Sequence, residues 1–256
     1  MKIFAVGDVV SDPGCAFLRR RLPALKIEHG IDLCIANGEN SAVGNGITPF
    51  SAKYLFDSGV DFITTGNHAY RRKEMFDFFE QRRDIIRPAN FFDGCPGRGY
   101  SVIDMGFTRV LVINLAGMMF MENCENPFHA VDRILSENSD IKIKLVDFHA
   151  EATAEKAAMG FYLDGRVSAV FGTHTHIMTN DARILPNGTG YITDLGMTGV
   201  VDSVIGVKKE ISIDFFKTGM PARFDAAEGE SMVNGCIFEI DKNTGRCLSF
   251  LPVRLT

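Results

Sequence analysis

Short apolar runs rich in β-branched residues alternate with segments of helical periodicity along most of this chain. Near the amino terminus, the runs IFAV and DLCIA flank the helical pattern of FLRRRLPALKIEHG. Such alternation is typical of βαβ units around a buried sheet with parallel strands. The chain has 256 residues, of which 46% are hydrophobic, so it can bury a full core. The sequence therefore predicts an α/β fold in a single domain over residues 1–256.

The remaining segments extend this pattern. Thr48 can cap a helix in TPFSAKYLFDSG and Gly59 can end it, whereas Pro23 is expected to bend or break the first helix. YSVIDMG and RVLVINLAG are predicted to form an antiparallel pair, and DKNTG a hairpin turn. Further helices are predicted in KEMFDFFEQRR, NPFHAVDRILSEN and EATAEKAAMGFYL. Further strands are predicted in DFITT, IKIKLVDF and RVSAVF. The remainder, from GYITDLG through ISIDFF and NGCIFEID to RCLSFLPV, is predicted to contain only strands and turns.

Charge and cysteine usage restrict the partners and the compartment. Lys and Arg number 27 against 32 Asp and Glu, and the net charge of −5 disfavours non-specific binding to nucleic acid or anionic membranes. No apolar run reaches the roughly 18 residues of a membrane span, and the amino-terminal run is too short for a secretory signal. The six cysteines form no C-x-x-C pair, which indicates free thiols in a reducing cytoplasm.

Side chains able to bind a metal follow five of the predicted strands directly. Because the carboxyl ends of parallel strands meet at one edge of a sheet, we expect these side chains to converge there. A glycine before several of them lets the backbone turn without a Cβ penalty. They are Asp8 after IFAVG, Glu39 and Asn40 after CIANG, Asn67 and His68 after ITTG, His149 after LVDF, and His174 and His176 after AVFGT.

The pair of histidines in GTHTH stands one residue apart at a predicted strand end. In an extended segment His174 and His176 would point to the same side and reach two neighbouring ions. Taken singly, Asp8 and Asn67 could be turn residues, and His149 could cap the helix that follows it. These readings account for each residue alone but not for their coincidence at five strand ends.

The combined donor set favours transition metals. Two carboxylates, two carboxamides and three imidazoles, without a thiolate, suit Fe or Mn and also Zn. Seven donors exceed the need of one ion, whereas two ions about 3.5–4 Å apart could share a carboxylate, hold a hydroxide and clamp a phosphoryl group. The sequence therefore predicts two divalent or mixed-valence transition-metal ions held by Asp8, Glu39, Asn40, Asn67, His149, His174 and His176.

The same motifs resemble those of the calcineurin-like metallophosphoesterases, whose pattern is D-x-H, G-D-x-x-D/N, G-N-H-E/D, a lone H and G-H-x-H. Here the matching stretches are GDVV, NGENS, GNHA, His149 and GTHTH. Val10 stands where the pattern has a histidine, and Glu39-Asn40 replaces the second aspartate. These departures, together with GDVVSDPG, NGENSAVGNGIT, TTGNHAY and TDLGMTG, are similar to the YmdB-like bacterial phosphodiesterases over nearly the whole chain.

This resemblance implies a fold of two mixed β-sheets packed as a sandwich and flanked by helices. It also implies that Asp8, Glu39, Asn40 and His176 hold one ion while Glu39, Asn67, His149 and His174 hold the other. His68 would be the general acid, a role that its position beside Asn67 and the near-neutral pKa of an imidazole support. The implied reaction is hydrolysis of 2′,3′-cyclic and also 3′,5′-cyclic nucleotides by a metal-bridging hydroxide.

Two other functions use the same residues. A regulatory protein that binds a nucleotide or a protein with a weak site is favoured by Val10 and opposed by Asn40. A phosphomonoesterase would share the site and differ in substrate. Arg71, Arg72 and Thr198 could contact the substrate, and the GNG loop (44–46) could cover it. The apolar helix segment MFDFF could face the core or a second subunit, which leaves a homo-oligomer open.

Overall fold

The computed structural model describes residues 1–122 and 124–256 and contains two β-sheets with helices on their outer faces. The strands are β1 (Lys2–Val6), β2 (Asp8–Val9), β3 (Leu33–Asn37), β4 (Phe62–Thr64), β5 (Tyr100–Asp104), β6 (Arg109–Ala116), β7 (Ile143–His149), β8 (Ala169–Thr173), β9 (Arg183–Ile184), β10 (Gly190–Ile192), β11 (Met197–Val200), β12 (Ser231–Ile240) and β13 (Cys247–Leu255). The helices are α1 (Ser11–His29), α2 (Pro49–Asp57), α3 (Met75–Gln81), α4 (Pro127–Glu137), α5 (Thr153–Tyr162) and α6 (Lys209–Thr218).

Both sheets mix parallel and antiparallel pairs. The first has the order β2-β11-β12-β1-β3-β4, with β13 also paired to β12. Within it β1, β3 and β4 run parallel, so their carboxyl ends lie at the same edge. The second sheet has the order β5-β6-β7-β8-β10-β9, and β6, β7, β8 and β10 are parallel.

The sheets can pack against each other and against helices because each strand carries apolar side chains on both of its faces. In β1, Ile3 and Ala5 belong to the buried cluster between the sheets, which also contains Val112 of β6 and Phe171 of β8. Phe4 faces the other way, into a cluster with α1 and α2. The opposite face of the second sheet packs on α4 and α5. Burial on both faces of parallel strands accounts for their continuous hydrophobic runs.

Two of the sequence-based assignments need correction, namely a helix break at Pro23 and a strand in ISIDFF. Helix α1 begins at Ser11 and continues through Pro23 to His29, because Leu18 and Leu22 are buried on its inner face and tertiary packing offsets the missing backbone hydrogen bond. ISIDFF forms part of helix α6, although its apolar residues alternate as in a strand. The left-handed Gly219 ends this helix.

The other predicted helices and strands are confirmed to within a few residues. Thr48 caps α2 through a reciprocal pair of hydrogen bonds with Ser51, and β5 and β6 are antiparallel. The hairpin across DKNTG joins β12 to β13. Across residues 1–122 and 124–256, no helix has the length and apolarity needed to cross a membrane.

Candidate metal centre

Donor atoms from the five strand ends meet at one place between the two sheets. Asp8, Glu39 and Asn67 follow β1, β3 and β4 of the first sheet, whereas His149 ends β7 and His174 follows β8 of the second. The predicted convergence is therefore seen in the structure, but at the shared edge of two sheets and not along one. Asp8, Glu39 and His149 are completely buried.

One group of donors surrounds the Nε2 atom of His149. Glu39 Oε1 lies 3.1 Å from it, Asn67 Oδ1 lies 3.0 Å away, and His174 Nδ1 lies 3.1 Å away. A single proton on Nε2 could serve only one of these lone pairs. Ligand atoms about 2.1 Å from a shared cation and at right angles to each other would have this spacing of about 3 Å. The geometry therefore fits a metal ion.

A second group is formed by Asp8, Asn40 and His176. His176 Nε2 lies 3.7 Å from Asp8 Oδ1 and 3.3 Å from the amide nitrogen of Asn40. Asp8 Oδ1 is buried and has no hydrogen-bond donor in the described structure. A buried carboxylate oxygen without a donor is costly unless a cation binds it. This oxygen is the clearest sign that the second group also suits a metal.

Each of the three imidazoles has its other ring nitrogen next to an acceptor. His149 Nδ1 lies 2.9 Å from the Thr173 hydroxyl, and His176 Nδ1 lies 3.0 Å from the carbonyl of Ile205. His174 Nε2 lies 3.1 Å from the Glu151 carboxylate. These acceptors take the ring N–H and leave the lone pair of the other nitrogen directed into the centre, as in metal-binding histidines.

Asn40 connects the second group to His68. Its oxygen lies 2.8 Å from His68 Nδ1, while its amide nitrogen faces His176. For Asn40 to bind a metal through its oxygen, the side-chain amide must flip by about 180° so that the oxygen faces His176. The amide N–H would then donate to His68 Nδ1 and place the His68 proton on Nε2. His68 is fixed in addition by its backbone N–H, which donates to Glu39 Oε2 at 2.9 Å.

The segment that carries the two histidines is not extended, contrary to the prediction. His174 has φ 97° and His176 has φ 64°, both in the left-handed region that non-glycine residues rarely adopt. Strain of this kind costs about 1–3 kcal/mol per residue and requires compensating contacts. The backbone N–H of His174 donates to Asp8 Oδ2 at 3.0 Å. The histidines therefore reach the two groups through loop geometry and not through strand alternation.

Lys156 and Asp194 hold this loop, and sequence reasoning did not find them. Lys156 Nζ donates to the Thr173 carbonyl at 2.8 Å and to Asp194 Oδ2 at 2.6 Å. Asp194 Oδ2 also accepts from the hydroxyl and the backbone N–H of Thr175, between the two histidines. A lysine in the middle of an amphipathic helix predicts a solvated side chain, so only the TDLG stretch could have drawn attention to this pair.

Asp147 is a third residue that sequence reasoning missed. Its carboxylate accepts hydrogen bonds from the Thr173 hydroxyl at 2.7 Å and from the Thr64 hydroxyl. The same Thr173 hydroxyl lies next to His149 Nδ1, so Asp147 can orient the His149 imidazole through Thr173. Burial raises the pKa of Asp147 to about 6. Such outer partners orient metal-binding histidines.

The charges at the centre favour a cation. Burial raises the pKa of Asp8. Burial also opposes ionisation of Glu39, but His149 and His68 outweigh it and lower the pKa of Glu39 to about 2. Burial opposes a charged His149 as well, yet Glu39, Asp8 and Asp147 raise its pKa to about 9. Burial, with the nearby His149, lowers the pKa of His174 to about 3. The carboxylates therefore stabilise positive charge among the donors.

Several glycines near the strand ends are required by close packing. A Cβ atom on Gly66 would lie 2.2 Å from the ring of His149, and one on Gly7 would lie 1.9 Å from the carbonyl oxygen of Gly196. None of the glycines that precede Asp8, Glu39, Asn67 and Thr173 has a positive φ. Glycine is therefore not needed at these positions for a left-handed backbone conformation. They allow neighbouring segments to approach the ligands.

Four of the donors, Glu39, Asn40, His174 and His176, line a cavity of about 480 Å³, within the size range of small-molecule sites. Gly44 and Asn45 of the GNG loop also line it. Arg72 lies outside and holds this loop through the carbonyls of Val43 and Asn45. Arg71 pairs with Glu122 at the surface, and Thr198 is completely buried. The cavity wall described by the structure therefore contains none of Arg71, Arg72 and Thr198.

Comparison with known proteins assigns the chain to a family. Residues 4–253 match the family described as YmdB-like protein. The chain belongs to the YmdB-like family. A Bacillus subtilis (strain 168) relative named 2′,3′-cyclic-nucleotide 2′-phosphodiesterase is 44% identical over 249 residues, which are 97% of this chain and 94% of the relative.

Solved structures of similar sequence share the fold of this YmdB-like protein. A hypothetical protein from Thermus thermophilus has a TM-score of 0.94 at 40% identity and covers 99% of this chain and 98% of its own. A structure described as a novel phosphatase from Mycoplasma pneumoniae has a TM-score of 0.95 at 34% identity, with coverage of 100% and 93%. The predicted calcineurin-like metallophosphoesterase fold and YmdB-like branch are confirmed.

Proposed function

We propose that the protein is a binuclear metal-dependent phosphodiesterase that hydrolyses small cyclic nucleotides, 2′,3′-cyclic and also 3′,5′-cyclic. Its place among enzymes that hydrolyse phosphoric esters follows from its family and its 44% identity with a phosphodiesterase. The convergence of carboxylate, amide and imidazole donors from five strand ends carries the proposal of a metal mechanism. The compartment that we propose is the cytoplasm, since all six cysteines are free.

The donors divide into two sets that share one carboxylate. Glu39 lies between the sets, because its Oε1 contacts both His149 Nε2 and the amide of Asn40. The bound pair of Fe or Mn ions, or Zn, would supply a nucleophilic hydroxide and neutralise the phosphoryl oxygens. The first set that we propose is Asp8, Glu39, Asn40 and His176, and the second is Glu39, Asn67, His149 and His174.

His68 is the residue that we propose as the general acid. It lines the cavity, and its Nδ1 and backbone N–H are held by Asn40 and Glu39. Among the described contacts, no protein group binds its Nε2. This nitrogen can therefore deliver a proton to the ribose oxygen that leaves phosphorus. Burial lowers the pKa of His68, while Glu39 opposes this shift.

The charge of the cavity favours a diester over a monoester. The described cavity lining includes the carboxylates of Glu39 and Glu151 and no Lys or Arg. Neutralisation of a phosphate group would thus fall to the cations alone, against the charges of Asp8 and Glu39. A diester carries one negative charge, whereas a monoester carries close to two at neutral pH. With two divalent cations, the charges of Asp8, Glu39 and the nucleophilic hydroxide would leave a net charge of about +1, which a diester matches better than a monoester.

Elemental analysis of purified protein combined with a substrate panel tests the proposal. We expect close to two transition-metal ions per chain and hydrolysis of 2′,3′-cAMP, which chelation abolishes and added Mn²⁺ or Fe²⁺ restores. Bis-p-nitrophenyl phosphate should be cleaved faster than the mono ester. Metal-free protein that hydrolyses 2′,3′-cAMP as fast as the loaded protein would refute the mechanism. Preference for the mono ester would favour a phosphomonoesterase.

A further inference from the structure

A group of apolar side chains forms a wall of the cavity beside the metal centre. Its side chains are Val10, Ile205, Val207, Phe224 and Ala226. Ile205 and Phe224 are large apolar residues, yet 45% and 42% of their surface is exposed. Apolar side chains in a recessed wall next to a reaction centre are typical of a subsite that holds an apolar part of the substrate.

The wall is a built structure. Val207 and Ala226 form an antiparallel bridge, and the N–H of Lys208 donates to the carbonyl of Asp225 at 3.0 Å. The ring of Phe224 packs against Phe215 of α6 in an edge-to-face contact with centroids 5.4 Å apart. The segments 204–208 and 224–227 therefore present Phe224 in a fixed position. A preorganised aromatic ring loses little conformational entropy when a ligand stacks on it.

The wall is connected directly to a ligand of the proposed centre. The carbonyl of Ile205 lies 3.0 Å from His176 Nδ1, so the residue that lines the wall also orients the histidine. A substrate whose phosphoryl group lies at the metals would extend its adjoining group along this wall. Since no Lys or Arg lines the described cavity, that adjoining group is not a further phosphate.

We infer that the wall is the nucleobase subsite of the enzyme and that the base stacks on Phe224. This inference rests on the proposed cyclic-nucleotide phosphodiesterase activity. A nucleobase is flat, uncharged and covalently joined to the ribose that carries the cyclic phosphate, so it matches the wall in shape and charge. Stacking on an aromatic ring tolerates all bases. The 2′,3′-cyclic nucleotides of adenine, guanine, cytosine and uracil are therefore all substrates.

Two cyclic phosphate substrates can test binding of the base independently of hydrolysis of the phosphodiester. One is 2′,3′-cAMP, and the other is glycerol 1,2-cyclic phosphate, which has the same five-membered phosphodiester without a base. The measured quantity is the ratio of kcat/KM for the first to kcat/KM for the second. Phe224→Ala should lower this ratio about tenfold or more, in line with the loss of one base–aromatic stack. Phe224→Trp should restore the ratio.

Phe216→Ala is the matched control, since Phe216 is exposed, lies on α6 and is outside the described cavity lining. Its ratio should equal that of the wild type. If Phe224→Ala does not fold, Phe224→Leu keeps an apolar side chain and should lower the ratio as well. A ratio within twofold of the wild type in both Phe224 variants would overturn the subsite, while cleavage of both compounds would leave the proposed function standing. A wild-type protein that cleaves neither compound would refute both.

Discussion

Lys156 of α5 and Asp194 form an ion pair of 2.6 Å that is almost completely buried, with each side chain 1% exposed. The pair binds the chain on both sides of the loop that carries His174 and His176, through the Thr173 carbonyl and the Thr175 N–H. Isolated buried ion pairs contribute little net stability. This pair offsets the left-handed conformations of the two histidines, so its main effect is on the metal centre.

Lys156→Met should leave the Asp194 carboxylate buried without its partner. We expect the free energy of unfolding to fall by about 3–5 kcal/mol and the metal content per chain to fall with it. Urea unfolding and elemental analysis measure the two effects. The double variant Lys156→Met with Asp194→Asn should recover stability but not metal content, because the loop contacts stay weakened. Full metal content in the single variant would contradict this role.

The outline of the metal centre is predictable from sequence because its residues sit at strand ends. The end of an apolar run predicts the end of a strand, as at Asp8 and at Asn67 after ITTG. Strand ends lie at the edge of a sheet, so the pattern alone places these residues there. The resemblance to the YmdB-like family adds the prediction of which donors bind each of the two metal ions. Their association in space is seen in the structure, while their roles as ligands stay predictions.

The contacts that hold the donors in place are not predictable in this way. Lys156 pairs with a residue 38 positions away, and no local pattern encodes that contact. The positive φ of His174 and His176 lacks the usual glycine or asparagine signal, because tertiary contacts impose it. ISIDFF alternates like a strand but lies in helix α6, which ends at the left-handed Gly219 and buries only Ser212, so burial on one face does not distinguish the two structures here.

Thr173→Val should weaken metal binding. The substitution preserves the shape of the side chain and removes the hydroxyl that links Asp147 to His149 Nδ1. Loss of an outer partner of this kind costs about 10- to 100-fold in metal affinity. Competition with a chromogenic chelator measures the Kd of the metal for each variant.

Thr64→Val is the matched control for that substitution, since Thr64 also donates to Asp147 but has no hydrogen bond to His149 among the described contacts. Both variants lose a buried hydrogen bond to the same carboxylate, so similar decreases in stability are expected. Only Thr173→Val should change the metal Kd strongly. Equal changes in Kd would show that Asp147 has a structural effect alone.

His68→Ala should retain both metals and lose turnover in a way that depends on the leaving group. Hydrolysis of 2′,3′-cAMP expels an alkoxide and should slow about 10²- to 10⁴-fold. Hydrolysis of bis-p-nitrophenyl phosphate expels a stable phenolate and should slow far less. His129→Ala, a change at an exposed helix residue, should leave both rates unchanged. An equal loss with both substrates would exclude His68 as the proton donor.

Val10→His would introduce the histidine of the calcineurin-like D-x-H pattern at this position, yet we expect it to reduce metal binding. The Val10 side chain packs so closely on Gly206 that a Cβ there would lie 2.5 Å from Val10 Cγ1. Gly206 follows Ile205, which has φ 48° and whose carbonyl orients His176. A larger ring at position 10 should displace this turn, because overpacking typically costs about 1–3 kcal/mol.

The measurement for this variant is the number of metal ions per chain together with the metal Kd. Val10→Thr has nearly the same shape and should match the wild type, since Val10 is partly exposed and a hydroxyl there can reach solvent. Val10→His should hold fewer ions, with the loss confined to the set that contains His176. Tighter metal binding in Val10→His would show that the imidazole enters the centre as a ligand. In that case Asn40 would be a replacement donor that the restored histidine can displace.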